Sequence, residues 1–328
     1  MKRILLVKLS SMGDIIHNMP MLHDIKQHFP EVQVDWVVEE GFAGLVSLNP
    51  LVNKIIPLAM RRWKKALFLQ STWSEFSAFK QNLQDQHYDA ILDTQGLLKS
   101  ALVSRMAHGV SHGQSAKTAR ERLAGRLYHQ AYDNPYTLHA ITRNRQMGAL
   151  ALGYALPDSP PVYDFFVEPV VLPINLPERF VMGFHSTARA AKHWPTEYWI
   201  QIGQFLAAKN LSFLLPWGSE AEYQRALAIA APLTNAVVLP KMSLKALSYL
   251  TSQAQAVVGL DTGLTHIAVA LNIPTLAIFT DTHLWQAGVM PTLPGRAVTL
   301  GGKGEIPAPE SVISTLSSLL SLALKAEK

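Results

Sequence analysis

The stretch that decides the fold is residues 4–14, Ile-Leu-Leu-Val-Lys-Leu-Ser-Ser-Met-Gly-Asp, where a short branched apolar run leads into a glycine-containing turn. An apolar run of this length, bounded by polar residues, predicts a buried strand of a parallel sheet. Directly after the turn, apolar residues recur at the spacing of one helix face and predict a helix. They are Ile15, Met19, Leu22 and Ile25. A strand, a glycine turn and a helix in this order predict a doubly wound α/β domain.

The same alternation continues along the chain in two series, which predicts two Rossmann-like domains with parallel sheets. The first series has strands at 34–38, 54–58, 90–93 and 109–113, and helices at 42–48, 76–86, 97–107 and 136–152. The second has strands at 180–184, 212–216, 236–239, 256–260 and 275–279, and helices at 196–208, 220–229, 244–253 and 263–271. We expect 275–279 to be the last strand and 309–325 to be an amphipathic helix.

A cluster of six prolines in residues 157–177 separates the two series and is typical of a linker. We therefore expect one domain over 1–156, a linker over 157–177 and a second domain over 178–308. The helical tail, 309–328, is expected to pack back toward the N-terminal domain. In open parallel sheets, ligands bind beyond the carboxyl ends of the strands, so two such domains facing each other would form a binding cleft.

Composition narrows the possible functions. Of the 328 residues 48% are hydrophobic and 16% charged, which is typical of an ordered globular protein, and the absence of cysteine excludes disulfide scaffolds and thiolate chemistry. Residues 1–150 hold 18 Lys and Arg against 12 Asp and Glu, whereas residues 151–328 hold 11 against 12. The basic first half indicates an anionic partner. Lys8 interrupts the first apolar run too early for an export signal, and no stretch is apolar enough to predict a spanning helix.

Gly13 and Asp14 lie where the first predicted strand turns into the first helix. Gly13 permits a tight turn or a close backbone approach. Asp14 is a candidate general base beside the cleft, although Asp at a helix start is more often a cap. The turn does not match the G-x-G-x-x-G pattern, so a dinucleotide cofactor is not expected.

Two further turns in the second half carry candidate phosphate ligands. Asp261-Thr262-Gly263-Leu264-Thr265-His266 follows a predicted strand, and a helix starting there would offer backbone N–H groups to a phosphate. Asp261 would order this turn or contact a sugar or a metal, unless the motif is an ordinary cap. Lys192 follows another strand and either neutralises a phosphate leaving group or is a solvated lysine.

The densest charge cluster is Arg61-Arg62-Trp63-Lys64-Lys65. It favours an anionic partner, such as a membrane surface with Trp63 at the interface, or it is a solvated helix face. Further arginines in the same half include Arg120 and Arg143. We do not expect a nucleic-acid partner because no nucleic-acid-binding motif is present.

Nine blocks in order resemble the lipopolysaccharide heptosyltransferases of glycosyltransferase family 9, over nearly the whole chain. They are 10–17 (SSMGDIIH), 35–43 (DWVVEEGFA), 61–65 (RRWKK), 93–101 (DTQGLLKSA), 107–113 (AHGVSHG), 192–195 (KHWP), 215–218 (LPWG), 239–244 (LPKMSL) and 261–266 (DTGLTH). The forms of the first and last blocks are more similar to enzymes adding the first heptose than to those adding the second. The sequence departs from the family at Ala190-Ala191 and at 279–283 (FTDTH), where members often carry acidic residues and Gly-Pro-Thr-Asp-Pro.

The resemblance implies a GT-B fold and the inverting transfer of L-glycero-D-manno-heptose from ADP-heptose to Kdo of Kdo2-lipid A. It implies no cofactor and no essential metal. It also implies a monomeric cytoplasmic enzyme, peripheral to the inner leaflet of the cytoplasmic membrane, with a basic N-terminal acceptor domain and a C-terminal donor domain.

The resemblance assigns roles to particular residues. It makes Asp14 the base and Lys192 the lysine that binds the donor phosphate. Donor contacts fall on Ser11, Thr187, Glu222, Met242, Asp261, Thr262, Gly263 and His266, to which the two turns add Gly13 and Leu264. Acceptor contacts fall on Arg61, Arg62, Lys65, Arg120 and Arg143. The alternatives are a later heptosyltransferase of the pathway, a nucleotide-sugar epimerase with two Rossmann halves, or a non-catalytic binder of anionic glycolipid or nucleic acid.

Overall fold

The computed structural model describes residues 1–187 and 189–326, with side chains up to residue 321. The chain divides into two compact units, Met1–Asp164 and Phe165–Lys328. The division lies inside the expected linker, and residues 154–179, all of them described, contain no helix or strand. Ala188 and the last two residues of the expected tail, 327 and 328, lie outside the described residues.

The first unit is built on a six-stranded sheet. Its strands are β1 (Arg3–Val7), β2 (Gln33–Glu39), β3 (Val52–Leu58), β4 (His87–Asp93), β5 (His108–Gln114) and β6 (Gln130–Tyr132). Its helices are α1 (Met12–Ile16), α2 (Met19–His28), α3 (Ala43–Val46), α4 (Met60–Trp63), α5 (Gln70–Gln84), α6 (Leu98–Met106) and α7 (Ala140–Leu152). The strand order is β3-β2-β1-β4-β5-β6, and every ladder is parallel. The four apolar residues of β1 are fully buried, as their sequence predicts.

The second unit repeats this arrangement. Its strands are β7 (Phe180–Phe184), β8 (Ser212–Leu215), β9 (Ala236–Val238), β10 (Ala256–Leu260), β11 (Thr275–Phe279) and β12 (Ala297–Gly301). Its helices are α8 (Thr196–Ala207), α9 (Glu220–Ala230), α10 (Leu244–Ser252), α11 (Gly263–Ala270), α12 (Leu284–Ala287) and α13 (Pro309–Ala326). The order β12-β11-β10-β7-β8-β9 is again parallel throughout. The predicted fold class, two doubly wound α/β domains, is confirmed.

In both sheets the winding direction changes between two central strands, β1 and β4 in the first and β7 and β10 in the second. The crevice outside the carboxyl ends of such a strand pair is where doubly wound sheets bind ligands. Asp14 and Gln95 follow β1 and β4, and Lys192 and Asp261 follow β7 and β10. The fold thus places the candidate residues at the two switch points.

The structure corrects several details of the prediction. Thr275–Phe279 is not the last strand, because the half-buried edge strand β12 follows it, and the short edge strand β6 was missed. The single helix expected over Ile15–Ile25 is two helices, and Pro20 lies in the first turn of the second one, where its missing N–H costs nothing.

The C-terminal helix α13 packs its apolar face into the core of the second unit. Val312, Leu316, Leu319 and Leu320 are buried there beside Trp199. The expectation that this helix also packs toward the N-terminal domain stays a prediction.

Candidate active site

Asp14 caps its own helix. Its Oδ2 accepts the backbone N–H of Ser11 at 2.9 Å and the Ser11 hydroxyl at 2.8 Å, in the capping box that starts α1. The structure therefore shows the cap that the sequence favoured. The same bonds orient the carboxylate and leave Oδ1 out of the capping box. A cap and a base are compatible roles for this side chain.

Several cations surround Asp14 and hold its pKa below the usual range. Burial raises the pKa of this carboxyl, but the Lys8 charge, the two bonds from Ser11 and the Arg120 charge together outweigh that effect. Lys8 directly follows β1, is 6% exposed, and donates from Nζ to the carbonyl of Thr94 at 3.1 Å. Burial lowers the pKa of Lys8, although the nearby Asp14 opposes that shift. Asp14 is thus kept ionised at neutral pH, ready to accept a proton.

Two of the five expected acceptor cations belong to this edge of the sheet. The charge of Arg120 acts on both Asp14 and Lys8, and the charge of Arg143 also acts on both. Arg143 is only 9% exposed, and its guanidinium lies 4.3 Å from the centre of the Tyr136 ring. Burial lowers the pKa of Arg143. Arg120 is exposed, so of these two cations only Arg143 is removed from solvent.

The other three expected acceptor cations lie in or just after α4. Arg62 forms ion pairs with Glu40 at 3.1 Å and Glu75 at 2.8 Å. Arg61 lies 5.4 Å from the Phe42 ring, and Lys65 is exposed. Trp63 does not face outward, contrary to the membrane-interface interpretation. It is 8% exposed in the core of the first unit because its ring packs on Phe76 and Phe79.

In the second unit, Lys192 and Asp261 form an ion pair. The Lys192 ammonium donates to Asp261 Oδ2, which also accepts the Thr282 hydroxyl at 2.6 Å. Thr187 donates its hydroxyl to the backbone carbonyl of Asp261 at 3.3 Å. The turns after β7, β10 and β11 therefore meet at one point. Asp261 orders this point, as one interpretation of its motif predicted.

The α11 N-terminus lies directly after Asp261. Thr262 is its N-cap residue, makes no side-chain cap bond, and is followed by Gly263 and Leu264. Because the first backbone N–H groups of a helix have no partner within it, they are available to an anion. A donor diphosphate at this place would receive those N–H groups together with the Lys192 charge. His266, also on α11, is 5% exposed.

Glu222 and Met242 have structural roles in this structure. Glu222 accepts the backbone N–H groups of Gly218 at 2.6 Å and Ser219 at 3.2 Å, which completes the capping box of α9. Met242 packs against the core cluster around Leu247. Their expected contacts with the donor stay predictions.

Three residues of these edges were missed at the level of sequence: Lys8, Gln95 and Thr282. The position of Lys8 could have been noticed in the sequence. A lysine that directly follows a fully apolar strand is expected to lie at the edge of the core. Gln95 lay in a quoted block without a role. Thr282 lies in the segment that departs from the family pattern, so no motif pointed to it.

No group of three or more acidic or histidine side chains in the described part of the chain is placed to hold a metal ion. Among the same residues, no helix combines the length and apolarity needed to cross a membrane.

Comparison with known proteins decides the family. Residues 76–297 match the model of glycosyltransferase family 9 (heptosyltransferase). The chain is 42% identical over 284 residues to lipopolysaccharide heptosyltransferase 1 of Escherichia coli (strain K12), covering 85% of this chain and 88% of that protein. The chain belongs to glycosyltransferase family 9.

Solved structures of this glycosyltransferase family have the same fold as this chain and share about a third of its sequence. E. coli heptosyltransferase WaaC with ADP superposes with a TM-score of 0.87 at 36% identity, covering 97% of this chain and 99% of that one. WaaC with ADP-2-deoxy-2-fluoro heptose gives a TM-score of 0.82 at 36% identity, covering 96% of this chain and 99% of that one. The predicted family, the GT-B fold class and the prediction of a glycosyltransferase are confirmed.

Proposed function

We propose that this glycosyltransferase moves L-glycero-D-manno-heptose from ADP-heptose to Kdo of Kdo2-lipid A in lipopolysaccharide inner-core synthesis, with inversion at the anomeric carbon. The observation that carries the proposal is the Lys192–Asp261 pair beside the α11 N-terminus. The lysine supplies a cation for a diphosphate, and the helix supplies free N–H groups. The relatives solved with ADP and with a fluorinated ADP-heptose support this choice of donor.

In this proposal Asp14 accepts a proton from the acceptor hydroxyl as that oxygen attacks the anomeric carbon. The bond from that carbon to the diphosphate breaks, and ADP leaves with the electron pair. Lys192 and the N–H groups of Gly263 and Leu264 stabilise the charge that develops on ADP. Arg120 and Arg143 bind the anionic acceptor near Asp14, together with Arg61, Arg62 and Lys65. The proposed donor contacts are those expected from the sequence.

The deciding experiment measures ADP release and the mass of the acceptor after incubation with ADP-heptose and Kdo2-lipid A. We expect ADP release with the gain of one heptose. A new sugar formed from the donor alone would indicate the epimerase. Transfer only to an already heptosylated acceptor would indicate a later heptosyltransferase. Tight, salt-sensitive binding of acceptor without any ADP release would indicate a non-catalytic binder.

We also propose that transfer needs no metal or cofactor, and that the chain acts as a monomer at the cytoplasmic face of the inner membrane. Turnover unchanged by excess EDTA supports the first point. A single-chain mass by light scattering supports the second. Loss of turnover that added Mg²⁺ restores, or a stable dimer, would overturn the respective proposal.

A further inference from the structure

The turn between α4 and α5 and the first turn of α5 present apolar side chains to solvent. Leu67 is 50% exposed, Phe68 fully exposed, Leu69 57% and Trp73 60%. We call these four residues the apolar tip. Single exposed apolar residues are ordinary, but an exposed cluster of this kind marks an interaction surface.

The apolar tip is anchored to the first unit. The Thr72 hydroxyl donates to the Ala66 carbonyl at 2.8 Å, and the Trp73 indole N–H donates to the Leu67 carbonyl at 2.9 Å. Beside it, the buried Trp63 donates its indole N–H to Glu75 of α5 at 2.8 Å. The turn is therefore held with its apolar side chains outward, which reduces the entropy lost when they are buried in a partner.

Exposed cations immediately precede the apolar tip. Arg61, Lys64 and Lys65 take part in none of the ion pairs found among the described residues, whereas Arg62 is paired with Glu40 and Glu75. An apolar cluster flanked by unpaired cations matches the chemistry of an anionic bilayer, with headgroup phosphates above an apolar interior. A purely apolar protein partner would leave these charges without a counterpart.

We propose that the apolar tip inserts into the headgroup region of a bilayer that contains anionic lipid, while Lys64, which is not among the proposed acceptor ligands, contacts lipid phosphates. The choice of a bilayer rests on the proposed function, which places the acceptor in a membrane. The membrane contact thus moves from Trp63, which is buried, to the turn that follows it.

Binding to vesicles without any acceptor tests this surface independently of turnover. We expect wild type to co-sediment with phosphatidylglycerol–phosphatidylethanolamine vesicles in a salt-sensitive manner. Phe68→Ser/Leu69→Ser should weaken binding on the order of tenfold or more, because two large apolar groups no longer leave water. Phe166→Ser, which removes a 62% exposed phenylalanine of the second unit, is the matched control and should bind as wild type does. Lys64→Glu should weaken binding to anionic vesicles and leave binding to phosphatidylcholine vesicles unchanged.

Wild-type binding by Phe68→Ser/Leu69→Ser would overturn the proposal. So would a wild-type dimer that this double substitution dissociates, since a second copy would then occupy the apolar tip. Turnover with a deacylated, water-soluble Kdo acceptor should be the same in the double variant and wild type. If wild type binds vesicles but transfers no heptose, the proposed function fails while the membrane surface stands.

A second inference concerns Gln95, which follows β4 next to the turn that carries Asp14. Its Oε1 accepts the backbone N–H groups of Leu9 at 2.8 Å and Ser10 at 3.3 Å. Its Nε2 donates to the Ser10 carbonyl at 2.9 Å. One side-chain amide therefore pairs with both backbone polar groups of the residue that precedes Ser11.

Gln95 is itself held by a buried carboxylate. Asp93 is fully buried, and its Oδ1 accepts the N–H groups of Gln95 at 2.8 Å and Gly96 at 3.3 Å. The Tyr128 hydroxyl donates to Asp93 Oδ2 at 2.8 Å. Gly113 makes room for that ring, since a Cβ there would lie 2.3 Å from it. The chain of contacts runs from Tyr128 through Asp93 and Gln95 to the backbone of Ser10.

We infer that Gln95 is a positioning residue for Asp14. It fixes Ser10, so that the neighbouring Ser11 keeps its N–H and hydroxyl on the Asp14 carboxylate. The inference rests on the proposed role of Asp14 as base. Loss of the Gln95 amide should free the turn, weaken the Ser11 bonds and let the pKa of Asp14 rise.

Kinetics of Gln95→Ala test the inference. We expect kcat to fall about tenfold or more while the donor KM changes little, and the acid limb of kcat/KM to move to higher pH. Gln95→Glu keeps the acceptor oxygen for Leu9 and Ser10 and should recover part of kcat. The matched control is Gln84→Ala, since Gln84 also bonds a backbone carbonyl, that of Met106 at 2.8 Å, away from the site.

Equal loss of thermal stability in Gln95→Ala and Gln84→Ala, with unchanged kcat and pH profile in both, would reduce Gln95 to a structural role. If Gln95→Ala does not fold, Gln95→Met gives the same test, since it keeps the length of the side chain and removes the amide that bonds Leu9 and Ser10. Asp14→Asn is measured in parallel. Wild-type turnover in Asp14→Asn would refute the base, which is a different failure from that of Gln95.

Discussion

Lys192 and Asp261, 69 residues apart in the chain, form an ion pair at the switch point of the second sheet. Thr282 binds the same carboxylate oxygen at 2.6 Å. The pair fixes the lysine charge at the place where α11 begins. Because a carboxylate would repel a diphosphate, the proposed role of Asp261 is to orient Lys192 and the turn that carries it.

Removal of the Lys192 charge should slow the chemical step. We expect Lys192→Ala to lower kcat about 10²-fold, by analogy with the loss of one oxyanion donor. Steady-state kinetics with ADP-heptose check this value. Lys245→Ala is the control, because that lysine forms an exposed pair with Glu168 at 3.2 Å. Unchanged kcat with a raised donor KM would make Lys192 a residue of ground-state binding.

Asp14→Asn keeps the size of the side chain and removes the carboxylate proposed as the base. We expect kcat to fall about 10²–10⁴-fold, the usual contribution of a general base. Circular dichroism and thermal unfolding should show a folded protein, since the Asn amide oxygen can still accept the Ser11 N–H in the capping box. Turnover close to that of wild type would leave Asp14 with the role of a cap alone.

The sequence predicted which turns carry the candidate site residues, but it did not predict the contacts that those residues make. Strand ends in a doubly wound sheet are readable from apolar runs such as Ile4–Val7, and the residues after them fall at the switch points. The direction of a side chain such as Trp63 depends on its packing against Phe76 and Phe79. No local sequence pattern shows that these three rings are in contact. Gln95 gains its role only because β4 lies beside β1.

The missed elements have a common physical cause. β6 and β12 are edge strands with few fully buried side chains, so they lack the apolar runs that identify the central strands. Each strand occupies an edge position of its sheet, and a doubly wound sheet of this type extends to six strands. Local periodicity alone does not reveal a strand whose pairing supplies most of its stability.

The pH profile should depend on Lys8. Its charge lowers the pKa of Asp14, so Lys8→Met should raise that pKa and move the acid limb of kcat/KM to higher pH. Activity on the alkaline side of the limb should be less affected, since Asp14 is ionised there in both proteins. The control is Lys117→Met, because Lys117 is exposed and pairs with Asp133 at 3.5 Å. An unmoved acid limb in Lys8→Met would show that Lys8 does not set the ionisation of Asp14.

Stability of the first unit should depend on the buried ion pair between α2 and α7. Arg145 donates to Asp24 from Nε at 2.7 Å and from a terminal nitrogen at 3.0 Å, and the two side chains are 8% and 3% exposed. Arg145→Met leaves the Asp24 carboxylate buried without a counter-charge, which should lower the free energy of unfolding by about 3–5 kcal/mol. Urea unfolding checks this value, and replacing Asp24 by Leu in the same chain should recover part of the loss. Lys245→Met, which breaks the exposed pair, should change it by less than about 0.5 kcal/mol. Equal effects of Arg145→Met and Lys245→Met would show that burial does not govern the strength of the Asp24–Arg145 pair.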